Sequence, residues 1–200
     1  MRFYSKEKRP FYEIETDRLF LRILPSSYAE EVADYLLRNR DYHKPFQQIH
    51  DDSYFSLEVQ RQYLKYDLRS FRLAEQFGFW IFLKDSPVRV VGRLSFVSVI
   101  RGAMQSCFMG YHLDKDIVGF GYMSEAIRAG CKYMFTEQHL HRIQADVMPR
   151  NERSNRTILR SGFMSQGLNK DYMAINGRWE DHNTYALINP DFHDNTILDE

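Results

Sequence analysis

Val118-Gly119-Phe120-Gly121-Tyr122 opens the stretch VGFGYMSEAIRAGCKYMF (118–135), and its reading decides the fold. Met123, Ile127, Cys131 and Met134 recur at three- and four-residue spacing, which predicts a helix with one apolar face. Residues 106–113 (SCFMGYHL) read as a strand, so the two glycines fall in a strand-to-helix turn. Glycine there allows a tight turn that brings backbone N–H groups close to a ligand. The first N–H groups of the following helix lack intrahelical partners and sit at its positive dipole end; together these donors suit a pyrophosphate. A plain loop or helix cap is the competing reading. No Gly-Lys-Ser/Thr follows, so this is not a P-loop, and the third glycine of a Rossmann turn is absent.

Upstream, residues 79–84, 89–100 and 106–113 form three strand-like runs, separated by Asp85-Ser86-Pro87 and Arg101-Gly102-Ala103 at hairpin length. Before them, TDRLFLRIL (16–24) alternates Leu19, Leu21 and Ile23 against Arg18 and Arg22, as a half-buried strand does, and ends at Pro25. Ser27 and Glu30 read as a capping box opening a helix with Val32, Tyr35 and Leu36 inward. A second helix over 56–74 has Leu57, Tyr63, Leu64, Leu68 and Phe71 as its expected inner face. Downstream come a strand at 141–148 and a helix at 151–161 that Gly162 stops. The strands 163–174 and 178–188 then flank Asn176-Gly177. The order β-α-α-β-β-β-α-β-α-β-β describes a single α/β (α+β) domain over about 13–190, around a mixed, mostly antiparallel sheet. Residues 1–12 and 191–200 read as terminal extensions, the first segment and the acidic tail after Asp194 being loose.

Composition sets limits on function. The 200 residues suit one core, and 44% hydrophobic with 27% charged residues is ordinary for a soluble globular chain. Lys plus Arg (27) equals Asp plus Glu (27), so no net charge draws the chain to nucleic acid or anionic membrane. No apolar run approaches a bilayer span, and the charged first ten residues lack the apolar core of a signal peptide. Two cysteines, Cys107 and Cys131, are too few for a disulfide framework, so a cytoplasmic location is expected. Cys131 lies on the apolar helix face, and Cys107 has no His/Asn constellation to make it a nucleophile. His139 and His141 lack partners at metal spacing, so no metal site is read; Trp179 is expected to anchor the last hairpin.

A second place for chemistry is Asn151-Glu152-Arg153-Ser154-Asn155, at the start of a helix. Asn151 fits an N-cap and Glu152 suits the helix dipole. Ser154, one turn in, is not explained by capping; a structural role and contact with a ligand near the strand ends are the two readings.

GFGYMSEAIRAGCKYMF (119–135), HLHRIQADVMPRNERSNRTILRSGF (139–163) and GLNKDYMAINGRWEDHNTYAL (167–187), with the opening strand TDRLFLRIL, resemble the RimJ/RimL branch of the GNAT N-acetyltransferases, and the RimJ type most. The combination of the glycine loop, Pro149-x-Asn151-x-x-Ser154, Gly162-Phe163 and Asp171-Tyr172 is more specific than any one piece. The likeness implies acetyl-CoA as cosubstrate, with its pyrophosphate on Val118, Gly119, Phe120, Gly121 and Tyr122. It implies two splayed central strands, the pantetheine arm pairing with the first around Tyr111, His112 and Leu113, and Asn151 contacting CoA. Ser154 is then the candidate proton donor to the thiolate, and Asp146 or Asp171 the candidate base. The acceptor implied is a protein N-terminus, of the ribosomal-protein alanine type. A small amine such as a drug or polyamine, and a CoA-binding protein that has lost catalysis, are the alternatives; a homodimer is left open. The family places Arg or Gln where this chain has Asp116, whose carboxylate is expected to repel the pyrophosphate, with Lys115 compensating. Asp51 and Asp52 would attract a cationic N-terminus or only solvate their loop.

Overall fold

The computed structural model describes residues 8–192. Among them, eight strands form one sheet in the order β1-β2-β3-β4-β5-β6-β8-β7. The strands are β1 (Tyr12–Glu15), β2 (Leu19–Ile23), β3 (Phe77–Leu83), β4 (Ser86–Ile100), β5 (Ser106–Leu113), β6 (Arg142–Val147), β7 (Met164–Ile175) and β8 (Arg178–Ile188). The helices are α1 (Ala29–Arg38), α2 (Arg40–His43), α3 (Leu57–Arg72), α4 (Tyr122–Thr136) and α5 (Glu152–Arg160). Every neighbouring pair is antiparallel except β5–β6. Among the described residues, no helix is long and apolar enough to cross a membrane.

Two layers of side chains cover the sheet. On one face α4 lays Met123, Ala126, Ile127, Cys131 and Met134 on Leu19, Leu21, Phe79, Leu94 and Phe96. On the other, Tyr28, Val32, Tyr35, Leu36 and Leu64 enclose Trp80, Phe82 and Val90. Strand β3 is thus buried on both faces, which accounts for its unbroken run FGFWIFL.

This double cover corrects the half-buried reading of β2. Arg22 is 1% exposed. Its guanidinium lies between the rings of Phe20 (4.6 Å) and Phe82 (4.5 Å), pairs with Glu13 at 2.7 Å and donates to the Pro87 carbonyl at 2.6 Å. A buried arginine needs such a set of partners to offset lost hydration. The partner strand β1 carries its own alternation, Tyr12 and Ile14 packing on the core beside more outward Glu13 and Glu15. From Lys8 onward the segment read as loose is tied down, by the Lys8–Glu31 ion pair and the Tyr28 hydroxyl on the Lys8 carbonyl. The tail after Asp194 lies outside the described residues.

Two helix expectations also change. The capping box at Ser27 and Glu30 does not form, because Ser26–Tyr28 makes a 3-10 turn that runs directly into α1 without a side-chain cap. On α3, Ser56 does cap the helix by accepting from the Val59 N–H, but Leu57 and Tyr63 face solvent. The buried face instead alternates Leu64 with Gln60, Asp67 and Ser70, and Asp67 pairs with Arg93 at 2.8 Å.

Strand β5 is held close against β4, with Gly92 opposite Leu113. A Cβ on Gly92 would lie 2.9 Å from the His112 carbonyl oxygen and 3.0 Å from a Leu113 methyl. Backbone cannot yield there as a side chain can. Gly92→Ala should therefore cost about 1–3 kcal/mol, read as a lower urea midpoint with unchanged m-value; an unchanged midpoint would show that the β4–β5 spacing is not fixed by this contact.

Candidate active site

The parallel pairing of β5 with β6 covers only Ser106↔Arg142, Cys107↔Ile143 and Phe108↔Gln144. Beyond it β5 continues along β4 to Leu113, while β6 continues along β8 to Val147. The two strands part, and one edge of Gly110-Tyr111-His112-Leu113 is left without a strand neighbour. Such an edge offers peptide groups to an extended ligand.

At the end of β5 the chain makes a 3-10 turn, Lys115–Ile117, and then the glycine turn. Gly119 (φ 92°) and Gly121 (φ 80°) both hold positive φ, a backbone region that a Cβ disfavours. Gly121 occupies the N-cap of α4, and no side chain caps the helix. Its first-turn N–H groups are thus not satisfied by a cap, which fits the anion site read from the sequence. Asp116 faces solvent in this turn, with its N–H donating to Asp114. An unforeseen cation stands beside it: Arg89 lies 3.7 Å from Asp116 and 3.3 Å from Asp114. Asp114 itself is buried; burial pushes its carboxyl up, but the Asp116 N–H, Arg38 and Arg89 more than offset this and hold it below the usual range.

Across the opening, Asn151 caps α5 by accepting from the Ser154 N–H at 3.2 Å. The Tyr111 hydroxyl lies 2.5 Å from Ser154 Oγ and 3.1 Å from the Ser154 carbonyl oxygen. One side chain thus bridges β5 and α5 at the point where the strands have separated. Burial pushes the Tyr111 hydroxyl pKa up, so the group is neutral at ordinary pH. The sequence reading used Tyr111 only for its backbone and missed this hydroxyl pair. The side chain of His112 faces the other layer, with Nδ1 2.7 Å from the Tyr35 hydroxyl, and burial lowers its pKa.

Asp146 faces away from the α4 core. It accepts from the Thr184 hydroxyl at 2.6 Å, from Gln144 Nε2 at 3.1 Å and from the Tyr172 hydroxyl at 3.4 Å. Asp171 is apart from this set. It sits at positive φ (46°) within an irregularity of β7 between Asn169 and Met173, its N–H donating to Asp181. The bulge breaks the strand alternation, so Tyr172 is the β7 residue that reaches Asp146. Asn155, also missed, joins α5 to the sheet: its Oδ1 accepts from the Tyr185 hydroxyl (2.7 Å) and from Asn183 (3.1 Å).

A roof crosses the opening from α2 and the loop after it. Arg150 donates to the Pro45 carbonyl at 2.8 Å, pairs with Glu180 at 2.9 Å and lies over the Phe46 ring; Arg153 donates to the Tyr42 hydroxyl. The Asn176 N–H donates to the Gln47 carbonyl, tying the roof to the β7–β8 hairpin, whose turn residues Asn176 and Gly177 both have positive φ. This contact holds the hairpin; Trp179, expected to do so, is 67% exposed. Asp51 caps a 3-10 turn and Asp52 pairs with Arg40, so both carboxylates have local partners.

A parallel strand pair that opens beside an uncapped helix N-terminus, with a hydroxyl pair at the gap, is suited to an extended anionic ligand. The chain belongs to the GNAT acetyltransferases: residues 18–164 match the Acetyltransferase (GNAT) domain. It is 40% identical over 173 residues to the probable N-acetyltransferase YjcK of Bacillus subtilis, covering 86% of this chain and 95% of that one. It is 35% identical over 190 residues to the ribosomal protein uS5-alanine N-acetyltransferase of Escherichia coli, covering 95% and 97%. The crystal structure of the ribosomal-protein-S5-alanine acetyltransferase of Vibrio fischeri superposes with a TM-score of 0.87 at 31% identity, over 92% of this chain and all of that one. The enzyme is thus an acetyl-transferring GNAT protein related to the ribosomal-protein alanine acetyltransferases.

The remaining sequence candidates fall outside this opening. Cys131 is buried on the inner face of α4, and Cys107 is buried with its thiol pushed up to about 12 by burial. His141 packs on Phe192, and among the described residues no group of three His, Cys, Asp or Glu is placed to hold a metal. Because the thiolate is the reactive form, both cysteines should resist a thiol reagent at pH 8 in the native enzyme and react once it is unfolded in urea. Rapid labelling of Cys107 in the native enzyme would contradict its burial.

Proposed function

We propose that this enzyme transfers acetyl from acetyl-CoA to the α-amine of a protein N-terminus, of the ribosomal-protein alanine type. The observation that carries this reading is the end-to-end relation to the E. coli enzyme, which extends through the roof and the final hairpin as well as the donor half. The residues present fit the donor. Gly119 to Tyr122 supply backbone N–H groups for the pyrophosphate, beside Val118 and Phe120. The open edge along Tyr111, His112 and Leu113, apart from the Leu113 carbonyl that His43 holds, supplies peptide groups for the pantetheine arm, and Asn151 lies where that arm would pass to the gap.

The chemistry asked of the side chains is small. As the amine nitrogen bonds to the carbonyl carbon and the C–S bond breaks, one proton must leave the nitrogen and one must reach the sulfur. Ser154 delivers the second, its backbone N–H held by the Asn151 cap and its hydroxyl by Tyr111. Asp146 takes the first, directly or through water, and Thr184 and Tyr172 hold its carboxylate in place. Asp171 is the alternative base. An α-amine with pKa of about 7.7–8.0 is partly neutral at pH 7, whereas a lysine-like alkylamine near 10.4 is not. A single modest base therefore suffices for an N-terminus, which favours it over a polyamine. Much of the acceleration comes from holding the two reactants together under the roof.

Two measurements test this. Thioester consumption over a panel of peptides that differ in the first residue should be highest for N-terminal alanine and low for polyamines; the reverse order would assign a small-amine acceptor. Ser154→Ala and Asp146→Asn should each lower kcat by about 10²–10⁴-fold with little change in CoA affinity. If Asp171→Asn is impaired and Asp146→Asn is not, the base is Asp171. If both turn over normally, solvent takes the proton.

A further inference from the structure

We propose that Arg18, from the β1–β2 turn, is the cation of the donor site and binds the pyrophosphate of CoA at the glycine turn. The inference rests on the acetyl-CoA reading and supplies what the turn lacks. Within 116–122 the side chains are Asp116, Ile117, Val118, Phe120 and Tyr122, none of them a cation. Arg89 is engaged by Asp114 and Asp116. Apart from the exposed Lys115 that precedes the turn, backbone donors would have to balance a dianion next to a carboxylate.

Arg18 reaches the turn from more than a hundred residues away in the chain. Its Nη1 donates to the Phe120 carbonyl at 3.0 Å, and its guanidinium lies 4.5 Å over the Tyr122 ring. Its Nη2 would be 3.6 Å from a Cβ built on Gly121. The guanidinium is thus at the glycine turn whose N–H groups are expected to meet the phosphates.

Its position is built. Glu125, in the first turn of α4, accepts from Arg18 Nε at 2.7 Å, from the Arg18 N–H at 2.9 Å and from the Thr16 hydroxyl at 2.7 Å. Burial pushes the Glu125 carboxyl up, but these donors more than offset it, so the group is ionised. Glu125 grips both the backbone and the side chain of Arg18, which fixes the guanidinium before any ligand arrives and lowers the ordering cost of binding. Of the five N–H donors of an arginine, Nε and one on Nη1 are used among the described contacts. Those on Nη2 have no partner there, and the side chain is 47% exposed. A planar fork with open donors at a turn rich in N–H groups is matched to phosphate oxygens.

Calorimetry of CoA and of dephospho-CoA against the wild-type enzyme, Arg18→Gln and Arg18→Lys tests the assignment. Arg18→Gln should bind both ligands about tenfold to a hundredfold more weakly, with a shallower dependence on salt, and Arg18→Lys should recover part of the loss. The ratio of kcat/KM for acetyl-CoA to that for S-acetylpantetheine, which has no phosphates, should fall by a similar factor. Unchanged CoA affinity and salt dependence in folded Arg18→Gln would overturn the proposal. So would an unchanged ratio, since Arg18 would then only support the fold. A loss seen with CoA but absent with dephospho-CoA would overturn the pyrophosphate assignment. If the wild-type enzyme itself binds neither ligand, the donor reading fails and takes this proposal with it.

Discussion

The structure depends on where the β5–β6 pairing stops. Three parallel residue pairs hold the two halves of the sheet together, and past Phe108 and Gln144 each strand follows its other neighbour. Unpaired peptide groups in a protein interior are costly, so such an opening persists only if both walls are held independently. On one side β4 pairs with β5 to its last residue, His43 bonds the Leu113 carbonyl at 2.9 Å, and Asp114 is buried among Arg38 and Arg89. On the other, β8 pairs with β6 along its whole length. The Tyr111–Ser154 contact spans the gap between them. The opening is therefore a built feature with peptide groups available to an extended ligand, and the rest of the site is arranged around it.

Polar groups divide between the walls. One wall offers mostly backbone, the β5 edge and the uncapped start of α4, with Arg18 and Glu125 behind it. The other offers side chains, with Asp146 anchored to β7 and β8 through Tyr172 and Thr184, and the roof clasped by Arg150. Ser154 stands between them, held by Asn151 of its own helix and by Tyr111 from β5. This division suits a reaction in which one substrate is recognised along its length and the other at a single amine.

Features that are local in sequence were legible from it. The glycine turn, the Asn151 cap and the Asn176-Gly177 hairpin each depend on a few adjacent residues whose φ or hydrogen-bonding preference is intrinsic. Long-range pairings were not. Arg22 alternates with leucines as an outward residue would, and only Phe20, Phe82 and Glu13 around it show that it is buried. The hydroxyl partner of Ser154 is 43 residues away, and the grip of Glu125 on Arg18 spans 107. The bulge that sets Asp171 apart and brings Tyr172 to Asp146 has no strong local signal, since Lys170 and Asp171 read equally well as a regular strand. Strand β1 did carry a short alternation, Tyr12 and Ile14 against Glu13 and Glu15, but four residues are few for a period to stand out.

If the opened β5 edge and the glycine turn together receive the acyl donor, CoA must slow exchange in both. Hydrogen–deuterium exchange of the backbone, with and without saturating CoA, tests it most directly. Protection gained on binding should concentrate in two segments, Gly110 to Leu113 and Gly119 to Met123, while the β1–β3 strands are unchanged. Protection absent from both segments, or confined to the roof and the β7–β8 hairpin, would contradict it.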